Sequence, residues 1–153
     1  MKAKRKMDRL DPVAKVRKRE MDVIASQASQ LERQIRETAT ELKASQDAYM
    51  RGVNQLNTVR TSGDRQNLLT LETSVDSLKE KWHSLYHKLN QLKQAKQQVT
   101  AQLRLAQRNM KAVEVLQDKY QAEFRKELDR QEQNFLDEAA IRSFNTNQTR
   151  NSG

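Results

Sequence analysis

The chain has 153 residues, of which 35% are hydrophobic and 32% charged, with three glycines, one proline and a mean hydropathy of −1.02. Those proportions exclude a wide, multilayer core and more than one domain, and the good helix formers that fill the chain (Gln, Lys, Arg, Glu, Leu, Ala) favour helix over disorder. Cysteine is absent, which removes disulfides, thiol nucleophiles and cysteine-based metal sites, and a net charge of +9 points to an acidic partner surface.

Residues 1–11 read as a basic, frayed tail. Residues 1–19 carry nine basic side chains against Asp8 and Asp11. The charged start is followed by no apolar stretch, so a secretory signal is not expected, and no run of about 18 apolar residues is present to span a membrane. Asp11-Pro12 reads as a helix start: the aspartate caps free N–H groups, and proline suits a first turn that needs none.

A first helix is predicted over 12–60. Its apolar positions alternate by four and three: Leu10, Ala14, Arg17, Met21, Ile24, Ala28, Leu31, Ile35, Thr38, Leu42, Ser45, Tyr49, Gly52, Leu56. This is a heptad seam, weakened by Arg17, Thr38, Ser45 and Gly52. Thr61-Ser62-Gly63-Asp64 reads as the bend. A second helix, predicted over 65–142, has a stronger seam through Leu68, Leu71, Val75, Leu78, Trp82, Leu85, Leu89, Leu92, Lys96, Val99, Leu103, Ala106, Met110 and Val113. The expected fold is all-α, a long two-helix antiparallel coiled-coil hairpin with a longer second helix.

Facing residues of an antiparallel pair have a constant sum of residue numbers. A bend at Gly63-Asp64 makes that sum about 127. Gly52 then lies opposite Val75 and Ser45 opposite Trp82, so small positions of the first helix accept bulk from the second. Pro12 falls opposite Val115, and the second helix is predicted to outrun the first. The overhang carries Leu116, Tyr120, Phe124 and Leu128, then Phe135 and Ala139. An apolar stripe without an intrachain partner marks an interaction site or a homodimer contact. Residues 143–153 are polar and expected to be disordered.

Catalytic signals are absent. There is no glycine-rich phosphate loop and no nucleophile elbow, and a narrow seam offers no cavity in which to shift a pKa. His83 and His87 stand four apart with Glu80 one turn earlier, a spacing able to hold a metal, but they lie on the outer face without a further ligand and read as solvated. No metal, cofactor or small-molecule ligand is expected. Arg17 and Lys96 at seam positions either set the register or snorkel past the seam. The basic start could bind phosphates, but no aromatic residue interleaves with it to stack bases.

Three stretches resemble the FliJ family of flagellar type III export proteins. They are Leu10-Asp11-Pro12-Val13-Ala14-Lys15-Val16-Arg17-Lys18-Arg19-Glu20, Gln46-Asp47-Ala48-Tyr49, and the acidic, alanine-containing, arginine-ended Leu128–Arg142. The resemblance implies a non-enzymatic stalk in the cytoplasm, peripheral to the inner membrane, that couples the export ATPase hexamer to the cytoplasmic domain of the export-gate membrane protein and binds export chaperones. It implies a gate-binding cluster near the tip at Leu42, Tyr49, Leu71, Val75, Leu78 and Trp82, positions that also lie on the seam. It implies a terminal ATPase-binding end, for which the stripe Leu116, Tyr120, Phe124, Leu128 and Phe135 is the candidate. Ser45 stands where an aromatic is sometimes found in the family. The alternatives are the injectisome counterpart of the same stalk and, from other classes, a basic nucleic-acid-binding coiled coil or a structural dimer.

Overall fold

The computed structural model describes residues 1–63 and 65–151, with side chains to residue 149. Two helices, α1 (Lys2–Ser62) and α2 (Arg65–Asn151), pack against each other, and no strand occurs among the described residues. The two-helix hairpin expected from the heptads is the fold.

The break between the helices follows from local chemistry. Gly63 has φ +78° with nothing within 4 Å of where a Cβ would stand. A residue in the left-handed region ends an α-helix, and only glycine enters it without a steric cost. Its N–H still donates to the Val59 carbonyl at 3.2 Å. The Thr61 and Ser62 hydroxyls donate to the carbonyls of Thr58 and Val59 at 2.8 and 2.9 Å. Three donors thus converge on two carbonyls of the last turn. Asp64, the last residue of the expected bend, lies outside the described residues.

The chain forms two compact units, Asp22–Arg104 and Met1–Met21 with Leu105–Gly153. In the first, the residues withdrawn from solvent are the expected heptad positions, from Ile24 to Leu56 on α1 and from Leu68 to Leu103 on α2, flanked by Ala48, Val53, Val59, Glu72, Ala95 and Thr100. Leu56, Val75, Leu85 and Leu89 are buried, as are Thr38 and Ser45. A Cβ at Gly52 would stand 3.1 Å from Val75 Cγ2 and 3.4 Å from Leu78 Cδ1. The Tyr49 and Trp82 rings lie 5.5 Å apart, and Arg60 pairs with Glu72 at 3.3 Å. The sums of these pairs start at the expected 127 and run to 132. The upward drift has a geometric cause. Helical side chains lean toward their own N-terminus, so those of α1 lean away from the bend and those of α2 toward it.

The second unit corrects the reading of both chain ends. Residues 1–11 are not a frayed tail: α1 starts at Lys2, and Asp11-Pro12 lies inside the helix. The four-three spacing in fact continues backward through Leu10, Met7 and Ala3, all withdrawn from solvent. Asp11-Pro12 meets the local rules for a helix start, yet the helix passes through it. Ala3 is 1% exposed, and its N–H donates to Glu127 Oε1 at 3.4 Å. The pairing of α2 with α1 therefore extends to Glu127, and the unpaired part begins at Leu128 rather than Leu116. At the other end, α2 runs through residues expected to be disordered. The Thr146 and Thr149 hydroxyls donate to the carbonyls of Arg142 and Asn145 at 2.9 and 2.8 Å. Residues 152–153 lie outside the described residues.

Arg17 settles between its two readings. Its stem occupies the seam, while Nη1 reaches Glu20 at 3.4 Å on the surface. It snorkels.

Candidate partner-binding surfaces

The six residues expected near the tip all lie on the seam of the unit that contains the bend. Val75 is buried; Leu42, Tyr49, Leu71, Leu78 and Trp82 are half-buried. Helix periodicity brings them together, because each stands three or four residues from the next seam position of its own helix. What a partner could reach is their solvent edge. At Trp82 that edge is extended along α2: the His83 ring stacks on Trp82 at 5.3 Å and 21°, and Tyr86 meets His87 edge-on at 6.2 Å. Tyr86 is exposed, and Leu69 is 71% exposed. Tyr49, Trp82, His83, Tyr86 and His87 thus make an aromatic strip running from the seam onto the outer face.

Reading only the heptad missed Leu69 and Tyr86. They are apolar residues at positions facing water, and a search for large apolar residues off the seam would have found them. His83 and His87 are exposed, as expected, and the contact with Trp82 is a further property of His83. Among the described residues no group of three or more His, Cys, Asp or Glu is placed to hold an ion.

The terminal candidates divide into two sets. Tyr120 and Phe124 are half-buried against the start of α1, with Lys6 Nζ 5.4 Å above the Tyr120 ring and 4.0 Å from Glu123. Leu116 and Leu128 sit at the margin of the seam, 38% and 42% exposed. The buried spacing here is Val113, Gln117, Tyr120, Phe124, Glu127, a continuation of the heptad rather than the four-residue stripe expected. Phe135 is 69% exposed. It is joined by Leu136, Ile141 and Phe144, all exposed on the part of α2 beyond Glu127. Leu136 and Ile141 were missed for the same reason as Tyr86.

Charge on this last stretch is mixed and fully solvated. Asp129, Glu132, Asp137 and Glu138 are interrupted by Arg130 and Arg142, and Gln133 donates to Asp137 at 3.1 Å. No helix of the described residues is long and apolar enough to cross a membrane.

A two-helix hairpin with a thin seam, an aromatic strip on one unit and exposed large apolar side chains on the other offers surfaces for contact. The chain matches the family model described as Flagellar FliJ protein over residues 6–149, and it belongs to that family. The family is a non-catalytic one with a flagellar export-related role. No curated protein and no solved structure matches the chain.

Proposed function

We propose that the chain is the coupling stalk of a flagellar type III export apparatus. The end of α2 beyond Glu127 enters the ring of the export ATPase, the tip side meets the cytoplasmic domain of the export-gate protein, and export chaperones dock on the same hairpin. The observation that carries this reading is the pair of facts at Glu127: α1 is level with it at Ala3, and Phe135, Leu136, Ile141 and Phe144 beyond it are exposed on an uncovered helix. A helix that displays large apolar side chains along its length is suited to a lined channel, where each finds cover only on binding. Leu116, Leu128 and Phe135 are the accessible members of the ATPase set; Tyr120 and Phe124 belong to it from beneath α1.

For the gate, Leu42, Tyr49, Leu71, Val75, Leu78 and Trp82 hold the seam and offer its edge, and the stacked His83 broadens that edge. The working place is the cytoplasmic face of the inner membrane. The match to a flagellar family favours this system over an injectisome stalk.

Truncation after Glu127 tests the reading while keeping the whole α1–α2 pairing. The truncated chain should keep its helical circular dichroism and lose its stimulation of ATP hydrolysis by the purified export ATPase. Stimulation equal to that of the full chain would refute insertion of this end.

A further inference from the structure

We infer that residues 1–11 form an arm, hinged at Pro12, that opens and closes over the Tyr120–Phe124 face of α2. The hinge rests on the chain's own geometry; its consequence for partner binding rests on the ATPase reading above.

Three features make the closed arm poorly coupled to the helix it continues. Pro12 is interior to α1, where it has no N–H to give the Asp8 carbonyl and its ring crowds that carbonyl. Asp11, the residue before it, is held in helical geometry that a following proline disfavours. The first turn is Lys2, Ala3, Lys4, Arg5, with no acidic residue, so cations stand at the positive end of the helix dipole.

The hold on α2 is correspondingly slight. Ala3 is the most buried side chain of the arm and one of the smallest in the protein; Met7 and Leu10 are half-buried. The polar contacts are long: Ala3 N to Glu127 Oε1 at 3.4 Å, Lys6 to Glu123 at 4.0 Å with both side chains partly in water, and Lys6 over Tyr120 at 5.4 Å. The second Glu127 oxygen is buried with no hydrogen-bond partner. Of the arm's five basic side chains, Lys6 meets an acidic group of α2, Glu123, and Glu127 is met by the Ala3 N–H.

The open state relieves all three faults. With the arm released, the helix starts at Pro12 with Asp11 as its cap, the arrangement each residue favours. The basic turn no longer faces a helix dipole, and Glu127 returns to water. The same step bares Tyr120 and Phe124, joining them to Leu116 and Leu128 in one apolar face. Closed, the arm covers that face; open, it gives the face to the ATPase ring and carries its own charge away. Salt weakens the closed state, since its ion pair, Lys6 with Glu123, is reached by solvent.

Hydrogen exchange on the full chain tests the hinge directly. Amides of residues 6–11, which lie beyond the unbonded first turn, should exchange faster than those of 14–28, and faster still in 0.5 M salt. Pro12→Ala should slow them about a hundredfold, the ratio to which proline's helix cost of about 3 kcal/mol converts at about 1.4 kcal/mol per tenfold. Exchange of 6–11 as slow as that of 14–28, or unchanged by Pro12→Ala, overturns the hinge. The cover is tested with the double variant Ala3→Cys and Glu127→Cys, in a chain that has no other cysteine. Oxidised, it should bind the purified export ATPase at least tenfold more weakly than the same variant reduced; equal binding overturns the cover. If the ATPase ignores every form of the chain, including the untouched one, the proposed function fails and the exchange experiment still decides the arm.

Discussion

Ser45 offers the sharpest test of how the seam is held. It stands in the middle of α1's buried face at 5% exposure, and its hydroxyl is buried with no hydrogen-bond partner. A helical serine can return its hydroxyl to the carbonyl four residues back, as Thr40, Thr58 and Thr73 do here at 3.0 Å. Ser45 does not. Ser45→Ala removes the stranded hydroxyl, whose desolvation costs roughly 1–3 kcal/mol, and gains up to about 0.5 kcal/mol of helix propensity. Against this stands the loss of one oxygen's packing, a few contacts of about 0.1–0.2 kcal/mol each. The variant should therefore be more stable, by about 1.5 kcal/mol. Urea unfolding followed by circular dichroism at 222 nm measures it, with Trp82 fluorescence as a second probe of whether one transition is being followed. The midpoint should rise with an unchanged slope. A lower midpoint would mean that the hydroxyl contributes a favourable interaction, and the reasoning would fail.

Two further perturbations probe the hinge between the helices and its surface. Gly63→Ala forces a Cβ into left-handed geometry in open space, a cost of about 1–2 kcal/mol partly offset by a stiffer unfolded chain, so the urea midpoint should fall modestly; an unchanged midpoint would mean the bend tolerates another geometry. Glu72→Gln breaks the ion pair with Arg60, whose partners are both substantially exposed, and should change stability by less than about 0.5 kcal/mol. A larger loss in the same unfolding assay would show that this pair fixes the register.

Much of the fold was legible because a heptad is a strong signal in a chain with almost no competing one. Every seam position from Leu10 to Leu56 and from Leu68 to Val113 is withdrawn from water, and a single glycine between turn-forming residues marked the break. The ends were less legible, for a physical reason. A proline after an aspartate is the best local signal for a helix start, yet here tertiary contacts of Ala3, Met7 and Leu10 with α2 carry the helix past it. That single misreading displaced the overhang by more than three turns and made Tyr120 and Phe124 look uncovered. The candidate surfaces were harder still. Heptad reasoning assigns meaning to apolar residues on the seam and none to those off it, so Leu69, Tyr86, Leu136 and Ile141 passed unnoticed although exposure sets them apart.

The small residues of α1's seam recur at Thr38, Ser45 and Gly52, seven residues apart, while α2 presents Trp82, Leu78 and Val75 in the same stretch. This asymmetry bears on which pairings the sequence refuses. Two copies of α1 laid together would face small residue to small residue and leave a line of gaps. Two copies of α2 would bring bulk against bulk and force the axes apart. Each helix is thus a poor match for itself and a good one for the other. Tethered by the bend, that other is always at hand, so this pairing is favoured within one chain over the same pairing between two.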